Sequence, residues 1–177
     1  MAKGIYGVFE STLITGRNFS FINEDTDLEN GMLVHKGDMV EGYTEVYEAV
    51  IPTAASISAG EPVYVIGNPA WNYDNSSTIN QNENKYFIPA GKVFRVYQLN
   101  VTDKFGISDY SIQGTPAVGE YVGLATNSGF PVASATVPAN GFVGKVIEIA
   151  SLGFNYWVGQ DLNMQAKRVR IEVIRNA

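Results

Sequence analysis

The stretch "RVRIEVI" (168–174) alternates polar and apolar residues from Arg168 to Val173. Val169, Ile171 and Val173 fall on one side, and Arg168, Arg170 and Glu172 on the other. A period of two is the pattern of a strand with one buried face and one wet face. Outward from it, "TEVYEAVI" (44–51), "PVYVIG" (62–67), "KVFRVYQL" (92–99), "EYVGLA" (120–125), "GFVGKVIEIA" (141–150) and "NYWVGQ" (155–160) are short and rich in Val, Ile, Tyr and Phe. Glycine, proline and asparagine clusters separate them at the spacing of an antiparallel sandwich or barrel. No window sustains a 3.6-residue apolar period for three turns. The expected fold class is all-β: a compact antiparallel sandwich or barrel.

Two segments stand apart. "NYDNSSTINQNEN" (72–84) is polar and asparagine-rich, and reads as a long surface loop. Residues 1–30 are less regular, with only "GVFESTLI" (7–14) resembling a strand. They read as an extended N-terminal arm or edge segment, ahead of a β domain over residues 31–177.

A short pattern recurs within that domain. "AGEPVYVIG" (59–67) leads to "IPAGKVFRVYQL" (88–99), and "VGEYVGLA" (118–125) leads to "VPANGFVGKVIEI" (137–149). Each unit runs Gly-Glu, strand, loop, Pro-Ala, Gly, strand, which suggests two related sub-units over 56–99 and 114–150. Glu61 to Pro89 spans 28 positions and Glu120 to Pro138 spans 18, a difference of ten that the Asn-rich loop accounts for. A looser third copy is "KGDMVEG" (36–42). Recurrent turn chemistry explains the pattern equally well, since glycine permits positive φ and a carboxylate accepts nearby backbone N–H groups. On either reading Glu61 and Glu120 belong at equivalent exposed turns.

The chain has 177 residues, enough for a domain that hides about 70% of its unfolded surface without covalent staples. It has no cysteine, which excludes disulfides, iron–sulfur clusters and the common zinc-finger spacings. The start lacks the pattern of a secretory signal, and no apolar run approaches the roughly 18 residues of a membrane helix. Synthesis in the cytoplasm with no membrane partner is expected. A net charge of −6 argues against nucleic acid as a partner. That charge is uneven. From Glu24 to Glu48 eight acids face Lys36 alone, a net −7. From Met164 to Ala177 four cations face Glu172 alone, a net +3. Such runs are either ordinary solvated faces or complementary surfaces that steer subunits together.

Catalytic chemistry finds little material. His35 is the lone histidine, no Gly-x-Ser-x-Gly elbow exists, and a surface or rim position is expected for it. "NEDTDLENGMLVHK" (23–36) begins like a calcium loop at Asp25, but Asn30 stands at the glycine position and Lys36 where a bidentate glutamate is required. Nucleotide-binding glycine motifs are missing, and the shared setting of Glu61 and Glu120 suits turns better than an acid–base pair. No catalytic residue, metal site or cofactor is expected. Among the aromatics Trp71, Tyr73, Phe87, Tyr97, Phe154, Tyr156 and Trp157, core or interface packing is the common role. Trp71 and Tyr73, at the mouth of the polar loop, are the candidates for an exposed contact.

Taken together, "ENGMLVHKGD" (29–38), "GEPVYVIG" (60–67), "PAVGEYV" (116–122), "GFVGKVIEI" (141–149) and "RVRIEVIRN" (168–176) resemble the head decoration (auxiliary capsid) proteins of tailed bacteriophages. The likeness is to those encoded next to the major capsid protein in phages of Gram-positive hosts, and it covers roughly residues 28–177. It implies a non-enzymatic virion protein, made in the host bacterial cytoplasm and bound to the capsid exterior. The major capsid protein would be its partner, and it would act as a homo-oligomer, a trimer being the common form. It also implies a terminal arm that adds a strand to a neighbour's sheet, so that deleting residues 2–20 should abolish shell binding and leave the body folded. The alternatives are another virion component, such as a head-fibre base or tail protein, and a carbohydrate-binding β module using Trp71 and Tyr73.

Overall fold

The computed structural model describes residues 7–70, 86–155 and 165–176. The chain is all-β, as its alternation implies, in two sheets that share one core. Strands β2 (Asn18–Ile22), β3 (Leu33–Met39), β4 (Val46–Val50), β5 (Val63–Ile66) and β6 (Phe94–Gln98) close a barrel in the order β2-β4-β3-β5-β6. A six-stranded sheet runs β1 (Phe9–Leu13), β7 (Lys104–Ser108), β11 (Gln165–Arg175), β10 (Val143–Asn155), β8 (Tyr121–Ala125), β9 (Ser128–Ser134). All its pairings are antiparallel, whereas in the barrel β2 and β4 run parallel.

β11 follows its sequence pattern closely. Val169, Ile171 and Val173 are fully buried, while Arg168, Arg170 and Glu172 are half-buried on the outer face. The buried three pack with Phe105 and Ile107 of β7, Val122 of β8, Phe142 and Val146, and with Leu33, Val63 and Val65 of the barrel. The barrel's other faces supply a second cluster around Phe21, Val34, Tyr64, Ile66, Phe94 and Val96. Strands β3 and β5 thus send neighbouring residues into two different cores, and β5 (VYVI) reads as an unbroken apolar stretch for that reason. Each such side chain contributes roughly 1.5–3 kcal/mol when fully buried.

Polar bonds reinforce the joint between the sheets. Asn176, just past β11, donates to the carbonyls of Val63 (3.0 Å) and Leu99 (2.6 Å) and accepts the Val63 N–H (2.8 Å). Asp103 is 1% exposed and accepts from both the Thr15 N–H (3.0 Å) and hydroxyl (2.6 Å). The rings of Phe9 in β1 and Tyr97 in β6 stack at 5.5 Å.

Of the two readings of the N-terminal segment, residues 7–30 fit the edge segment rather than the arm: β1 is the edge strand of the large sheet, and β2 is a barrel strand carrying the fully buried Phe21. A deletion of residues 2–20 would remove β1 and most of β2, so it is no test of an arm. Among the described residues there is also a short α-helix, α1 (Ala54–Ala59), too brief to show a 3.6-residue period. Thr53 caps it by accepting the Ser56 N–H, Ser56 returns a bond to the Thr53 N–H, and Gly60 at φ 69° closes its far end. The "NYWVGQ" strand beyond Asn155 and the loop 72–84 lie outside the described residues.

Candidate functional site

Four acids of the run between Glu24 and Glu48, namely Glu24, Asp25, Asp38 and Glu48, line one groove of the barrel. β3 and β4 form a hairpin whose tip is closed by Val40 N–H to Val46 O (2.9 Å) and Tyr43 N–H to Val40 O (3.2 Å). Gly42 (φ 86°) and Glu45 (φ 72°) take left-handed conformations there, which turns Glu41, Tyr43 and Glu45 out to solvent. Tyr43 is 47% and Met39 61% exposed. Beside the tip a groove of about 300 Å3 is lined by Ile22, Met39 and Val40 together with Glu24, Asp25, Asp38 and Glu48.

Among the described residues, Glu24, Asp25, Asp38, Glu41, Glu45 and Glu48 form no ion pair. Lys36 turns to rings instead, its Nζ 3.6 Å from the Tyr47 centroid and 5.4 Å from that of Phe19. The barrel face therefore presents negative charge around exposed apolar side chains. It can attract a cationic partner and hold an apolar group from it.

The calcium-like run folds into a turn. Asn23 Oδ1 accepts the N–H groups of Asp25 (3.2 Å) and Thr26 (2.9 Å), Asp27 accepts the Ala90 N–H (3.2 Å), and buried Glu29 accepts the Gly7 N–H (3.0 Å). Among the described residues no three His, Asp or Glu side chains are placed to hold a metal ion.

The basic terminal strand behaves in the opposite way. Arg168 pairs with Glu10 at 2.8 Å, Arg170 with Glu148 at 2.6 Å, and Lys104 lies 3.9 Å from Glu172. Arg175 donates to the carbonyls of Gly141 (2.8 Å) and Pro138 (2.7 Å). Arg168 reaches Glu10 by lying across β7 at Gly106, where a Cβ would stand 3.0 Å from its Cδ. The strand's charge is largely answered within its own sheet.

His35 corrects an expectation. It is 1% exposed rather than at a rim, because it lies on the β3 face that Leu33 presents to the shared core. Its Nδ1 lies 3.1 Å from the Pro62 carbonyl, which requires a proton on Nδ1, and among the described residues its buried Nε2 has no hydrogen-bond partner.

Glu61 and Glu120 each follow a left-handed glycine, Gly60 (φ 69°) and Gly119 (φ 91°), directly ahead of β5 and β8. Glu61 is exposed and Glu120 half-buried, and neither lines a described cavity. Their local settings differ. The Glu61 N–H closes α1 by donating to Ser56 O, whereas the Glu120 N–H closes a turn onto Ala117 O. The following pairings differ too: Ile66, five after Glu61, faces Val96, five after Gly91; Val122, two after Glu120, faces Gly144, three after Gly141. The likeness resides in the glycine turns. Gly37 of the looser copy lies inside β3.

Trp71, Tyr73, Tyr156 and Trp157 lie outside the described residues, and of Phe154 only the backbone is described. Tyr97 is half-buried against Phe9. Within the barrel, burial pushes the Tyr64 phenol above its ordinary range, with the neighbouring Tyr47 acting in the same direction. Burial also raises Tyr86, opposed by its hydrogen bond with Asn68. The exposed pair Met39 and Tyr43 went unnoticed in the sequence. Its signal was "DMVEGYTE" (38–45), a charged, glycine-bearing stretch between apolar runs that also carries two large hydrophobic residues. No family model, curated protein or solved structure matches the chain.

Proposed function

We propose that the chain is a non-enzymatic structural protein of a tailed-phage virion, which binds the outside of the capsid shell and stabilises it by bridging capsomers. The observation that carries this reading is the barrel face around the β3–β4 hairpin, where carboxylates with no ion pair among the described residues line a groove with exposed Met39, next to exposed Tyr43 at the hairpin tip. An apolar centre ringed by one sign of charge suits docking onto a protein surface. The fused core of barrel and sheet gives that face a firm support, as a subunit that resists strain between capsomers needs. Under this reading the protein acts as a homo-oligomer, a trimer, with the major capsid protein as its partner. Each contact is modest, and multiplicity makes the attachment strong.

The test adds purified protein to shells of the encoding phage that lack it. Saturable density on the outer surface by electron microscopy, with the shells surviving to higher temperature, is the expected result. The variant Tyr43→Ala combined with Met39→Ser should bind at least about tenfold more weakly, as loss of an apolar anchor does. Shells that stay bare at saturating protein would overturn the proposal.

A further inference from the structure

The chain contains two Asn-Gly pairs, Asn30–Gly31 and Asn140–Gly141, and the fold treats them in opposite ways. Asparagine before glycine is prone to spontaneous loss of its amide, because a residue without a side chain leaves the next backbone nitrogen free to approach the amide carbon. The reaction needs an accessible side chain and an unengaged N–H on the following residue.

At Asn30 both requirements fail. The residue is 6% exposed, its Nδ2 donates to Asn68 O (2.9 Å), and its Oδ1 accepts the Asn68 N–H (2.9 Å). The Gly31 N–H, which would be the nucleophile, donates to Ile66 O at 2.8 Å. Attack would require breaking three hydrogen bonds inside a closed part of the barrel.

At Asn140 the side chain is free of these restraints, although the following Gly141 is itself buried. Asn140 is exposed in the bend between β9 and β10, and among the described residues neither its side chain nor the Gly141 N–H makes a hydrogen bond. The bend is held from outside, since Arg175 clasps the carbonyls of Pro138 and Gly141.

We infer that Asn140 is a site of spontaneous deamidation in the folded protein, and that Asn30 is shielded from it. The Gly141 nitrogen gives its proton to solvent base and attacks Asn140 Cγ. The new N–Cγ bond forms, the Cγ–Nδ2 bond breaks, and ammonia leaves after taking a proton from water. Water then opens the resulting succinimide at either carbonyl, giving aspartate or isoaspartate. Either product places a new carboxylate on a bend clasped by Arg175, and isoaspartate also adds a methylene to the main chain between the two clasped carbonyls. The inference does not depend on the proposed virion role.

The test incubates the full chain in mildly alkaline buffer, once folded and once in concentrated urea. Peptide mass spectrometry that separates aspartate from isoaspartate follows both positions over time, and Asn140→Gln serves as the control for site assignment. In the folded protein residue 140 should convert at least about tenfold faster than residue 30, because reaction at a closed site waits for local opening. In urea the two rates should converge to within about threefold, since the protecting structure is gone. A folded-state ratio below tenfold, or a residue 140 that converts only in urea, overturns the inference.

Discussion

The acidic run of the barrel and the basic run of β11 look alike in the sequence, as two local excesses of opposite charge. In the fold they part. The cations of β11 reach across neighbouring strands to Glu10 and Glu148, or clasp backbone carbonyls. Among the described residues Glu24, Asp25, Asp38, Glu41, Glu45 and Glu48 find no cation, and Lys36 is engaged by the Tyr47 ring. Strand geometry explains the difference. β11 is central, with partners on both sides, so each outward side chain has cross-strand neighbours within reach. The hairpin side has Glu24 and Asp25, further acids, as its charged neighbours across the groove. A charge run is thus neutralised or displayed according to where its strand lies, and its composition does not decide which.

The largest expected effect separates the two faces of β11. Ile171→Ala should cost about 3 kcal/mol in urea unfolding, since it opens a cavity where both sheets meet. Arg170→Ala, next to it on the outer face, should cost less than about 1 kcal/mol, the range of partly exposed pairs. Equal costs would mean that the outer pairs, and not the shared core, hold the strand.

A smaller effect tests how Arg168 crosses β7. The double-mutant cycle of Glu10→Ala with Arg168→Ala should give a coupling of about 0.5 kcal/mol. In a Gly106→Val background that coupling should vanish, because the new side chain occupies the path of the Arg168 stem. A coupling that survives would show a second route to Glu10.

Much of this was legible in the sequence, and the failures have physical causes. Val169, Ile171 and Val173 announced their common face because β11 is wet on its other side. His35 did not announce its burial, because β3 is covered on both sides and Leu33, Val34 and His35 give no alternation to read. β1 was readable in "GVFESTLI", although a register shift between Ser11 and Leu13 breaks its period, whereas β2 in "NFSFI" was not. The glycine turns before Glu61 and Glu120 were readable, whereas α1 ahead of the first was not, since its capping box uses Ser56 in place of glutamate. The hairpin face could not be assembled from sequence alone: Glu24 and Asp25 follow β2, Asp38 and Met39 end β3, and Glu48 lies in β4. Only closure of the barrel brings them together.

The contrast between answered and unanswered charge is tested most directly by one paired measurement: the unfolding free energies of Glu10→Gln and Glu48→Gln at low ionic strength. Glu10→Gln should destabilise by about 0.5 kcal/mol because it removes the partner of Arg168. Glu48→Gln should stabilise by about 0.3 kcal/mol because it relieves repulsion among unpaired acids. Both changes should shrink toward zero at about 1 M salt, where the screening length falls to about 3 Å. Loss of stability in Glu48→Gln matching that in Glu10→Gln would contradict the account, for it would mean that the acidic face is neutralised after all.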